Sequence, residues 1–157
     1  METLAGAGAD AERVKADRRP CAMSIEAMNA RLRASPFNAW LGLVVTQAEA
    51  GSIELRLRWK SDLGGRPDRD EVHGGAIASL IDVAGSYALA SLHGRPAVTV
   101  DLRSDYLRPF VSGEAIARAE ILHSTRPLSS VRIVVSDEQQ RLLASGTGTY
   151  LTPDSSS

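Results

Sequence analysis

The residues best placed to do chemistry lie in one short stretch. Val72-His73-Gly74-Gly75 leads into an apolar run that only Ser79 and Asp82 interrupt before Ser86. A carboxylate among apolar side chains carries a large desolvation cost unless it is hydrogen-bonded or protonated. The His-Gly-Gly segment at the start of the same run offers free backbone N–H groups, which suit a partial negative charge at a helix N-terminus. An oxyanion donor and a poised carboxylate are the parts of an acyl-transfer or hydrolysis site. The plainer alternative is a core helix whose one Asp bonds a backbone group, and the residues alone leave both readings open.

The elements that must position these residues follow from periodicity. Ser24 to Arg33 predicts a short helix with Ser24 as N-cap and Ile25, Met28 and Leu32 on one face, ended by Ser35-Pro36. Leu41 to Gln47 predicts a first strand. Ser52 to Lys60 then alternates, with Ile53, Leu55, Leu57 and Trp59 on one face and Glu54, Arg56, Arg58 and Lys60 on the other, as in a sheet wet on one side. Asp62 to Glu71 reads as a polar loop before the apolar helix. Further strands are expected near Ala97–Leu107, Glu114–His123, Ser129–Ser136 and Arg141–Leu151. A helix apolar nearly all round must be buried on most sides. The expected fold is therefore α+β: one long central helix wrapped by a curved antiparallel sheet of five to six strands. One such sheet leaves a side of the helix bare for a partner subunit to close.

Composition sets the outer bounds. The chain has 157 residues, enough for one domain, here expected over residues 21–152 between a disordered leader (1–20) and tail (153–157). Net charge −1 and a pI near 6.3 argue against a nucleic-acid partner. Cys21 stands alone, and His73, His93 and His123 lack metal-ligand spacing, so no metal site is expected. The N-terminus lacks the apolar core of a signal peptide, and the unbroken apolar part of Gly74–Leu92 is shorter than a bilayer needs and the stretch carries Asp82, which argues against a membrane span. The cytoplasm is the expected compartment.

At this point the residues resemble a known family. The segment Gly65-Arg66-Pro67-Asp68 through His73-Gly74-Gly75 to Leu80-Ile81-Asp82 is similar to the hotdog-fold acyl-CoA thioesterases, in particular their phenylacetyl-CoA thioesterase branch. Thr99-Val100-Asp101-Leu102-Arg103-Ser104-Asp105-Tyr106-Leu107-Arg108-Pro109 and Gly146-Thr147-Gly148-Thr149-Tyr150-Leu151 extend the match across most of residues 37–151. The resemblance implies the hotdog fold and hydrolysis of an acyl-CoA thioester carrying a small aromatic or short- to medium-chain acyl group. It implies no cofactor, since coenzyme A is part of the substrate.

The family roles map onto Gly74, whose N–H would polarise the thioester carbonyl, and Asp82, as general base for water or as nucleophile. Glycine permits close backbone approach there. Thr99 stands where relatives often carry a Ser or Thr that helps hold the attacking water; a Thr chosen for strand propensity is the alternative. Ser79, Asp82 and Ser86 form a polar stripe, either a wet crevice at the acyl site or, chiefly for Ser86, hydroxyls bonded back to their own helix. His73 and Gly75 belong to the substrate-binding set, His73 ordering the loop by hydrogen bonding. Arg108 and Arg126 are candidates for the coenzyme A phosphates, with solvated turn arginines as the alternative.

In one respect the chain departs from the pattern. Relatives usually place an Asn or Gln six or seven residues before the His; here those positions are Pro67 and Arg66, and the family Gly three residues before it is Asp70. Arg66 is therefore a candidate substrate contact. The altered loop keeps alive a non-catalytic acyl-CoA-binding hotdog protein as a rival, and a hydratase or dehydratase is a further one.

Spacing adds a last inference. Eight residues along one helix separate Gly74 from Asp82 by about 12 Å. They can hardly converge on one carbonyl, whereas two antiparallel copies of the helix would bring Gly74 of one beside Asp82 of the other. A homodimer with sites at its interface, alone or as a dimer of dimers, is expected.

Overall fold

Local signals set the first elements, and one of them both stops and starts a helix. The computed structural model describes residues 20–154; the expected leader, apart from Pro20, and residues 155–157 lie outside the described residues. Helix α1 (Ile25–Ala34) starts where Ser24 accepts the Ala27 N–H, and it buries Met28 and Leu32. Asn29 bonds both the N–H and the carbonyl of Val45 at 2.9 Å, tying α1 to the first strand. Helical structure does not end at Pro36 as expected but resumes there as α2 (Pro36–Leu41). Proline in the first turn lacks only an N–H that has no intrahelical partner anyway. Gly42, at φ +76°, closes α2, and the first strand β1 (Val44–Glu49) starts three residues later than the apolar run suggested.

β2 (Ser52–Arg58) pairs antiparallel with β1 across Gly51 at φ +89°. Its Ile53, Leu55 and Leu57 face the core as expected, but its outer face is not uniformly wet. Glu54 is only 4% exposed, held by Thr46, Arg56 and Arg118. The expected loop after it folds as a 3₁₀ turn (Ser61–Leu63) and a two-stranded hairpin, β3 (Gly64–Arg66) with β4 (Arg69–Val72). The base of this hairpin is anchored by His73 N–H to Leu63 O (2.7 Å) and Val72 N–H to Phe110 O (2.9 Å).

Helix α3 (Gly74–His93) follows, then β5 (Val98–Tyr106), β6 (Glu114–Ser124), β7 (Leu128–Ser136) and β8 (Leu142–Leu151). The six-stranded antiparallel sheet runs β1-β2-β6-β7-β8-β5 and packs against α3. This is the hotdog architecture expected. α3 is long and apolar enough to cross a membrane, yet Ile77, Leu80, Ile81, Ala84, Ala88 and Leu89 lie in the core with Leu55, Val131, Ile133 and Tyr150. The arrangement leaves open the outer edge of β5, at the far end of the sheet from β1, and a half-exposed strip of α3 at Ala78, Ser79, Asp82 and Val83. Of the expected tail, Pro153 is buried and Asp154 pairs with Arg95 and Arg126.

Candidate active site

The start of α3 is built around its own backbone. His73 is the N-cap, and its Nδ1 accepts the Gly75 N–H at 2.8 Å, while its carbonyl accepts from Ala76 at 2.9 Å. The acceptor role leaves Nδ1 unprotonated and the ring's proton on Nε2 when His73 is neutral. The Gly74 N–H forms no hydrogen bond among the described residues. It is the helix-terminal donor left over, and such a donor can stabilise a carbonyl oxygen that gains charge, typically by about 3–4 kcal/mol. Tyr106 covers this spot from β5: its hydroxyl donates to Gly74 O at 3.0 Å, and its ring would lie 3.3 Å from a Cβ at residue 74. Sequence reasoning placed Tyr106 in a family motif without giving it a role. Its place over Gly74 depends on how β5 folds back beside α3.

Two turns further along, Asp82 meets Thr99. The Thr99 hydroxyl donates to Asp82 Oδ1 at 2.6 Å. A bulge aims it: Thr99 pairs with Tyr150 and Asp101 with Thr149, so Val100 is the extra residue in β5. Asp82 Oδ2 accepts no hydrogen bond among the described residues, which leaves one carboxylate oxygen able to take a proton from a bound water. Tyr150 supports the helix here. Its hydroxyl donates to the Asp82 carbonyl at 3.3 Å, and burial, with the negative charge of Asp82, pushes its phenol well above the ordinary range. A Cβ at Gly85 would lie 2.0 Å from that hydroxyl oxygen, so the close approach needs glycine.

Asp82, Val83, Ser86 and Thr99 line a crevice of about 540 Å³ that Arg31 and Asn38 close from α1 and α2. Ser86 does not bond back to its own helix, as its position suggested. It donates instead to Ala97 O at 2.7 Å, fixing the approach to β5. Ser79 does bond back, to Gly75 O at 2.8 Å.

Known proteins resemble this chain in sequence and in fold. Residues 71–144 match the family model of the thioesterase superfamily. The medium/long-chain acyl-CoA thioesterase YigI of Salmonella typhimurium is 30% identical over 131 residues, covering 74% of this chain and 84% of that one. The chain belongs to the thioesterase superfamily. Among solved structures, the phenylacetic acid degradation protein PaaI of Thermus thermophilus is 30% identical, with a TM-score of 0.68 over 76% of this thioesterase and 100% of that chain. A thioesterase of Haemophilus influenzae, 23% identical, shares the fold with a TM-score of 0.75 over 84% of this chain and 92% of its own.

The remaining candidates of this thioesterase are scattered. Arg66 is exposed and pairs with Asp68, as Arg69 does with Glu71, so the charged hairpin largely neutralises itself. Arg108 is exposed just beyond Tyr106, near the start of α3; its backbone N–H donates to Leu143 O. Arg126 lies at the opposite end, because Leu128 and Val98 both pair with Leu151, and it joins Arg95 on Asp154. The two arginines expected to meet coenzyme A thus flank different ends of β5. Among the described residues no group of three or more His, Cys, Asp or Glu is arranged to hold a metal ion.

Proposed function

We propose that this thioesterase hydrolyses acyl-CoA esters of small aromatic or short- to medium-chain acids, using Asp82 as general base and the Gly74 N–H as oxyanion donor. The observation that carries the reading is the Thr99–Asp82 hydrogen bond, which occupies one carboxylate oxygen and leaves the other free beside an open crevice. A water held at Oδ2 attacks the thioester carbonyl carbon while its proton passes to Asp82. The carbonyl oxygen gains charge against the Gly74 N–H. Collapse of the tetrahedral species breaks the carbon–sulfur bond. The coenzyme A sulfur leaves with the proton returned by Asp82, and the carboxylic acid is released. Thr99 donates to Asp82 throughout and keeps Oδ2 directed at the water.

Gly74 and Asp82 lie eight residues apart on α3, about 12 Å along its axis, so both groups reach one carbonyl only across two subunits. The open edge of β5 supports this, with Val98, Val100, Tyr106 and Leu107 exposed along it. An unpaired strand edge is a template for pairing with a second chain. Antiparallel pairing of two β5 edges sets two α3 helices antiparallel, with Gly74 of one beside Asp82 of the other. Arg108 then lies on the Gly74 side of each site and serves a coenzyme A phosphate.

The experiment is a panel of acetyl-, butyryl-, octanoyl- and phenylacetyl-CoA assayed by release of free thiol. Saturable hydrolysis of at least one member is expected. Binding of acyl-CoA without thiol release would overturn the reading.

A further inference from the structure

Tyr106 is 55% exposed at the open edge of β5, yet its hydroxyl turns back and donates to a carbonyl of α3. That carbonyl belongs to Gly74. The same peptide group carries the Gly75 N–H, which His73 Nδ1 accepts at 2.8 Å. The peptide between Gly74 and Gly75 is thus held at both ends, its oxygen by Tyr106 and its hydrogen by His73. The next carbonyl, that of Gly75, accepts from the Ser79 hydroxyl at 2.8 Å. The missing side chains let both rings come this close. A Cβ at residue 74 would lie 3.3 Å from the Tyr106 ring, and one at residue 75 only 2.9 Å from His73 Nδ1.

Glycine has the freest backbone of any residue, and two in a row open this helix. The Gly74 N–H shares that freedom unless the peptide that follows it is fixed. An oxyanion donor acts by being aimed before the charge develops. His73 and Ser79 lie two and four residues from their partners, so these bonds form within the helix start and cannot set it against the sheet. Tyr106 lies 32 residues from Gly74, and it can. It stands on the strand whose other end carries Thr99, the partner of Asp82. We infer that Tyr106 is a positioning residue of the hydrolysis, holding the Gly74–Gly75 peptide so that the Gly74 N–H stays aimed at the thioester oxygen. β5 then sets both halves of the site, Asp82 through Thr99 and Gly74 through Tyr106. The inference rests on the proposed hydrolysis at Gly74 and Asp82.

The test compares wild type with Tyr106→Phe, His73→Ala and the double variant on the acyl-CoA panel, by thiol release. Tyr106→Phe keeps the ring at a half-exposed edge position, so the thermal midpoint should stay near that of wild type. Its kcat should fall about five- to tenfold, the scale of one lost hydrogen bond, while KM stays unchanged. A thioether analogue of the substrate, which has no carbonyl, should bind wild type and Tyr106→Phe equally. Because both side chains hold one peptide, the double variant should lose less than the product of the two single losses. Solvent exchange of the Gly75 amide proton, followed by NMR, should quicken in Tyr106→Phe, which a role in packing alone would not produce. Wild-type kcat, a raised KM with kcat unchanged, or an unchanged Gly75 exchange rate in Tyr106→Phe would overturn the role of Tyr106 and leave the proposed hydrolysis standing. Losses that simply multiply in the double variant would do the same. If the wild type hydrolyses no member of the panel, the inference falls together with the proposed activity.

Discussion

Thr99 of the edge strand and Asp82 of the core helix are joined by a 2.6 Å hydrogen bond, which among the described residues is the one side-chain to side-chain hydrogen bond between β5 and the exposed strip of α3. The bond exists because Val100 bulges out of register and turns Thr99 toward the helix. It ties the carboxylate to one rotamer and satisfies one of its oxygens. A carboxylate set at the edge of an apolar helix thereby gains a hydrogen-bond partner.

If that carboxylate is the base, Asp82→Asn should fold normally and lower kcat by about 10²- to 10⁴-fold. Thr99→Val should lower it less, by about tenfold, since it removes one hydrogen bond to a charged group. Thiol release measured at saturating substrate checks both. Near-normal turnover by a folded Asp82→Asn protein would remove Asp82 from the mechanism.

The positions of most elements could be read locally, because each strand and helix carries its own period. The last four strands begin and end within two residues of their expected bounds, and Ser24 caps the first helix as expected. What escaped was non-local. Ser35-Pro36 carries the signal for a helix end and for a helix start alike, and the six residues of α2 are too few to show a period. Glu54 looked solvated because it alternates with Ile53 and Leu55 and shares its face of the strand with Arg56 and Arg58. Its burial depends on Arg118, which stands opposite it only once β2 and β6 are in register. The Gly74 and Asp82 candidates came from a helix start and a misplaced charge, both local features. The bulge that gives Asp82 its partner and the fold-back that sets Tyr106 over Gly74 are products of strand pairing.

The buried Glu54 makes stability depend on acid. Burial alone raises its carboxyl pKa, but hydrogen bonds from Thr46 and Arg56 and the charges of Arg118 and Arg56 outweigh this and hold it below its ordinary 4.5. A carboxylate with a lowered folded value stabilises fully above the unfolded value and loses that contribution as pH falls through the folded one. Urea unfolding of wild type and Glu54→Gln should therefore show a stability gap at pH 7 that shrinks steadily below about pH 4.5. A gap independent of pH would mean that Glu54 acts through packing alone.

The hairpin before α3 offers a test with two clear outcomes. Arg66 is exposed and its local partner is Asp68. Exposed pairs of this kind contribute about 0–1 kcal/mol, so Arg66→Ala should leave the thermal midpoint nearly unchanged. If Arg66 turns to the substrate in place of the Asn or Gln of relatives, the same variant raises KM or alters acyl preference. Equal kinetics across the acyl panel would assign the hairpin the single role of anchoring His73 through Leu63.

Assembly tests the site most directly. Asp82→Asn leaves Gly74 intact, and a Gly74→Val chain, whose side chain would press on Tyr106, leaves Asp82 intact. Each homodimer should be inactive. In a mixed dimer one site combines the wild-type Gly74 of the first chain with the wild-type Asp82 of the second, and the other site carries both defects. Random exchange makes half of the dimers mixed, each with one working site of two, so activity should return to at most about a quarter of wild type. The mixture is assayed by thiol release after exchange has been shown by two distinguishable tags. Absence of recovery with exchange demonstrated, or full activity in a monomeric wild-type protein, would place both groups of the site on one chain and overturn the shared geometry.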